Sequence, residues 1–122
     1  LLGCHCAGEA CRLLASLGPA AASARPELVG LLDPKHDACP AALRALGRIG
    51  PAGAAAIPRI SPLLDAEQAK VRGAAAEALG RLGARAALPK LRQLLADEEE
   101  VPYVLERARA AIARLTKAPP GR

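Results

Sequence analysis

The side chains with the greatest chemical reach lie in the first third of the chain: Cys4-His5-Cys6, then Cys11, then His36 and Cys39. Thiolate and imidazole are the ligands zinc prefers, so Cys4, Cys6, His36 and Cys39 make up a mixed set that a metal could use. Their spacing fits poorly. Cys-x-Cys is not the two-residue knuckle, and Cys6 to Cys11 is long within one helix. A repeat in the sequence offers another reading, because Cys6 and Cys11 take the slots that Val71 and Ala76 fill two copies later. In those slots they are small core side chains. Inert thiols are the expectation, with a disulfide and a metal site as alternatives, and no cofactor is expected.

Charge gives a second pattern. The net charge is +5. Arg48, Arg81 and Arg114 hold equivalent positions on successive helices, with Ser16 in the first copy. Glu77 precedes Arg81 by four residues, a favourable helical pair, and Arg44 takes the slot of Glu77 one copy earlier. Two readings follow for this column: a salt-bridged outer face, or a basic stripe that tracks an anionic polymer. Asp97-Glu98-Glu99-Glu100 is an acidic run that places negative charge at the start of the last helix, where the macrodipole favours it. Tyr103 is the only aromatic residue, so stacking against nucleobases has little to use. No catalytic constellation is visible. Neither histidine has an acid partner in a motif, and no glycine-rich loop follows a strand. The expectation is a protein that is not an enzyme.

These residues must be positioned by helices. The chain has 122 residues, one domain by length. Alanine and leucine dominate and there is no Phe, Trp or Met, which favours closely approaching helices. Strand-forming residues are scarce. Three marks recur at one period: Leu17-Gly18, Ile49-Gly50 and Leu82-Gly83; Pro26, Pro58 and Pro89; Leu31-Leu32, Leu63-Leu64 and Leu94-Leu95. Their separations are 31 to 33 residues. Each copy reads as two helices. In the third copy Val71, Ala75, Ala78, Leu79 and Leu82 share one face of a first helix that Gly83 ends. The second helix runs from about Ala86 to Ala96, with Pro89 in its first turn. In the second copy Pro62 falls inside the second helix and predicts a kink or an early end. A single pair of this size cannot bury its apolar face, so stacked pairs share one core. The expected domain covers residues 1–117, with copies at about 4–35, 36–67 and 68–99, a half copy at 100–117 and a tail at 118–122.

The run from Val71 to Gly83, followed by Ala86 to Asp97, resembles the HEAT-like repeat of the short bacterial type, which is also found in phycobilisome lyases. The likeness is close in the third copy, fair in the second and looser in the first. It implies an all-α, right-handed α-α superhelix of about three and a half helix pairs, with second helices lining a concave surface. It also implies scaffolding rather than catalysis. On that surface Arg59, Lys90, Arg92 and Gln93 are the residues expected to touch a partner. The leading expectation is a monomeric protein-interaction module, the C-terminal part of a longer array. The alternatives are a binder of nucleic-acid backbone and, by resemblance only, a phycobilin lyase-like subunit. No stretch approaches the ~18 apolar residues of a membrane span. Four cysteines without a secretory signal predict a reducing, cytoplasmic setting.

Overall fold

The computed structural model describes residues 7–18, 23–33, 35 and 39–117. Its α-helices are α1 (Ala7–Leu17), α2 (Arg25–Val29), α3 (Cys39–Ile49), α4 (Ile57–Ile60), α5 (Ala69–Leu82), α6 (Leu88–Ala96) and α7 (Pro102–Thr116). Short 3-10 segments cover Gly50–Ala56, Ser61–Asp65 and Arg85–Ala87. Among the described residues there is no strand.

The repeat marks become helix punctuation. Gly18, Gly50 and Gly83 follow α1, α3 and α5 with φ of +59°, +80° and +77°, a left-handed conformation that other residues strongly resist. At Gly83 the cap is a complete Schellman motif. Ala84 N–H donates to Leu79 C=O at 3.0 Å and Gly83 N–H to Gly80 C=O at 3.4 Å. Pro26, Pro58 and Pro89 sit at the starts of α2, α4 and α6, where a missing N–H removes no helical bond. Pro62 has the expected effect. Regular helix stops at Ile60 and a 3-10 segment continues to Asp65. Leu63 and Leu64 nevertheless stay buried, so the tighter winding keeps the apolar stripe on the core.

The first helices α1, α3, α5 and α7 pack side by side in chain order, each on the next. The second helices form the other layer, and each lies chiefly on the first helix of the following copy: α2 on α3, α4 with its 3-10 extension on α5, and α6 on α7. Copies therefore interlock rather than merely touch. The joints within the first layer are very close. A β-carbon at Gly80 would lie 2.8 Å from Ala111 Cα, and one at Gly47 would lie 3.1 Å from Ala78 Cα. At Gly80 no β-carbon fits without a shift, and at Gly47 one is tight, so the first layer relies on small residues at its joints. Flanked on both sides, α5 buries Gly73, Ala74, Ala76 and Gly80 as well as the expected stripe of Val71, Ala75, Ala78, Leu79 and Leu82.

The two ends of the first layer differ. Leu13 and Leu17 of α1 are 61% and 57% exposed, whereas their equivalents Ala45 and Ile49, Ala78 and Leu82, and Ala111 and Leu115 are all buried. The outer side of α7 instead presents the exposed Glu106, Arg109, Ala110 and Ala113.

Candidate partner-binding surfaces

The second-helix residues divide by what they touch. Arg59 on α4 and Arg92 and Gln93 on α6 are exposed and make no hydrogen bond or ion pair among the described residues. Lys90 is different. Its Nζ lies 2.6 Å from Asp65 Oδ1, bridging the third copy to the end of the second. Both groups are well exposed, so this pair adds little stability. It does hold one of the four expected contact residues in place.

The arginine column also resolves into particulars. Arg48, Arg81 and Arg114 each fall in the last turn of α3, α5 and α7, where a cation faces the negative end of the helix dipole. That placement gives the arginine a structural role in each of the three helices that carry it, whereas α1 has Ser16 there. Arg81 Nε also donates to Glu77 Oε2 at 3.4 Å, as the four-residue spacing predicts. Glu77 is largely buried, and its other oxygen lies 3.3 Å from Arg107 Nη1 on α7. Neither that oxygen nor Arg107 Nε has a hydrogen bond, so the contact to Arg107 is an ion pair with poor hydrogen-bond geometry.

Cys4, Cys6 and His36 lie outside the described residues. Cys11 and Cys39 are buried free thiols. Burial pushes both thiols up. Cys39 reaches about 11 with a smaller contribution from Asp33. A buried neutral thiol is a poor nucleophile and a poor ligand. Among the described residues no group of three or more His, Cys, Asp and Glu side chains could hold a metal.

Two constellations were not read from the sequence. The first joins Arg72 to Glu100. Arg72 Nε and Nη2 donate to the two carboxylate oxygens at 2.9 and 2.7 Å, and Nη1 donates to the carbonyls of Ala66 and Glu67 at 2.9 and 2.7 Å. The Glu100 side chain is 3% exposed. The hydrogen bonds from Arg72 hold its carboxyl below the usual range against the opposing effect of burial, and the Val101 N–H helps. Of the acidic run, only Asp97, Glu98 and Glu99 stay at the surface. Glu100 is a structural clamp. The one signal available beforehand was the pair of cations, Lys70 and Arg72, in the first turn of an otherwise Ala- and Gly-rich helix.

The second constellation surrounds Tyr103. Its ring lies over Gly73 of α5, where a β-carbon would overlap it. Arg44 Nη2 donates to the phenol oxygen at 3.3 Å, and the Arg107 guanidinium carbon lies 5.2 Å from the ring centroid. Arg44 and Tyr103 are 59 residues apart. No short-range pattern links them. A shallow, open depression of ≈ 600 Å³ lies beside the ring, lined by Pro40, Ala41, Arg44, Ala69, Lys70 and Tyr103.

Comparison with known proteins agrees with this architecture. The family described as HEAT repeats matches residues 40–113, more than half of the chain. The chain belongs to the HEAT-repeat family. No curated protein and no solved structure matches it. The matched segment contains α3 to nearly the end of α7, including both joints that place a glycine against an alanine. No helix among the described residues is long and apolar enough to cross a membrane.

Proposed function

We propose that this HEAT-repeat chain is a non-enzymatic scaffold that binds a protein partner through the face formed by its second helices. The observation that carries this reading is the exposed, uncommitted set of Arg59, Arg92 and Gln93 on α4 and α6, flanked by the tethered Lys90. Polar side chains on a rigid helical layer provide specificity, and the stacked first helices provide the rigidity. The exposed Leu13 and Leu17 support a further part of the proposal, that the chain works within a longer array. They occupy the face by which every other first helix meets its predecessor. The partner reading is favoured over a nucleic-acid stripe because the arginine column has a structural use, in the last helical turns and, for Arg81, in an ion pair. The pigment-lyase reading rests on resemblance alone.

Site-specific photo-crosslinking separates these readings. A crosslinking side chain placed at Arg59 or Arg92 is expected to capture a defined protein in cells. The same group at Glu106, on the outer side of α7, is expected not to capture it. Equal capture at all three positions, or recovery of nucleic acid instead, would sink the proposal.

A further inference from the structure

The depression beside Tyr103 lies on the first-helix layer, apart from the second-helix face. Its walls come from the opening turns of three successive first helices: Pro40, Ala41 and Arg44 from α3, Ala69 and Lys70 from α5, and Tyr103 from α7. Among the described residues apolar and basic groups line it and no acid does. Lys70 is exposed and makes no hydrogen bond or ion pair among the described residues. Arg44 spends one N–H on Tyr103 and makes no other bond among those residues.

We propose that this depression binds an acidic segment of a partner protein, seating a carboxylate between Arg44 and Lys70 and an apolar side chain against Pro40, Ala41 and the Tyr103 ring. The tyrosine oxygen accepts from Arg44 and keeps its own proton, which it can donate to the incoming carboxylate. A guanidinium adds directed, charge-assisted donors. The ring is held in place by Gly73 beneath it and Arg107 over its face, so little freedom is lost on binding. Tyrosine and arginine are among the residue types enriched at the positions that carry most binding energy in protein interfaces. A nucleic acid fits less well. It would require a longer run of cations and several stacking faces, and the depression offers two cations and one ring. This surface is independent of the second-helix face, so its failure leaves that proposal standing.

Tyrosine emission gives a direct test, because the chain has one Tyr and no Trp. The probe is an N-acetylated hexapeptide of alternating leucine and glutamate, titrated into the whole chain. A saturable change in emission is expected, with a Kd on the order of 10–100 μM. The same peptide with glutamine for glutamate is expected to bind about tenfold more weakly or worse, as is the original peptide on the Arg44→Gln, Lys70→Gln double variant. Both substituted residues are on the surface, and an unchanged melting curve verifies the fold. Gly73→Ala, which must displace the ring, is expected to weaken binding while leaving both cations in place. The proposal is overturned by any of three results: no saturable change up to about 2 mM peptide, equal binding of the glutamine peptide, or tighter binding of a ten-nucleotide oligo-dT than of the acidic peptide.

Discussion

The second and third copies follow the same plan and are held together differently. In the third copy α5 runs 14 residues to a Schellman cap and α6 is a continuous helix of nine. In the second copy α3 has 11 residues, and the second helix breaks after four into a 3-10 segment. The slot of Arg72 in the third copy holds Cys39 in the second, one period of 33 residues earlier. Arg72 ties three chain segments together through Glu100 and the carbonyls of Ala66 and Glu67. Cys39 fills the same kind of space with a neutral, fully buried thiol. One slot thus supports either a polar clamp or plain packing, depending on whether a carboxylate can reach it. The lesson is that a repeat conserves backbone geometry more strictly than the chemistry that stabilises it.

Substitution in the shared slot should show the largest contrast. Arg72→Ala leaves Glu100 buried without its partner and is expected to cost about 3–5 kcal/mol in chemical denaturation. Cys39→Ala, which only trims a packed side chain, is expected to cost about 1 kcal/mol. Equal losses would mean that Arg72 is not the clamp. The helix joints give a smaller contrast. At Gly80 an added methyl meets the Ala111 backbone at 2.8 Å, and the overpacking outweighs the better propensity of alanine, for a net cost of about 2 kcal/mol. At Gly47 the nearest backbone atom is 3.1 Å away, and propensity nearly offsets the strain, for a net change within about 1 kcal/mol.

Titration distinguishes the two copies next. The Cys39 thiol is raised from 9.0 to about 11, so its contribution is complete below pH 9 and is lost as pH rises toward 11. A loss of about 1 kcal/mol by pH 10 is expected from denaturation midpoints, and Cys39→Ala should remove most of it. Glu100 acts in the opposite direction. Its carboxyl is depressed, so the clamp is fully effective above the usual carboxylate range and weakens as pH falls through the depressed value. Arg72→Ala should flatten that acid limb. The smallest effect in energy is expected from Pro62→Ala. It restores an N–H to the broken helix while loosening the unfolded chain, for a net gain of about 0.5 kcal/mol. Its clearer readout is a rise in helical circular dichroism, and no rise would mean that Pro62 is not what ends α4.

Much of this was legible because it is local. A glycine at a helix end, a proline at a helix start and leucines three or four apart act within one or two turns, and each produced the expected element. The thiol at Cys11 reads the same way, since its slot in the repeat is a core slot and it is buried. The binding features were less legible. The column of Arg48, Arg81 and Arg114 was visible as spacing, but spacing does not say whether a cation serves a partner or the end of its own helix. Glu100 and its exposed neighbours Glu98 and Glu99 look identical along the chain. Only the position of α5 relative to the following loop separates them.

What the sequence determined by itself is the architecture: the period, the helix pairs, the break at Pro62 and the small-residue core, all set by interactions within a few turns. What the tertiary structure decided is which of the charged and aromatic residues meet. Arg72 finds Glu100 across 28 residues, and Arg44 finds Tyr103 across two copies. Those meetings depend on the distance and register between neighbouring helices, which Gly47, Gly73 and Gly80 set by letting backbones or a ring approach. That spacing arises from the joint packing of several helices, and no single stretch of residues encodes it.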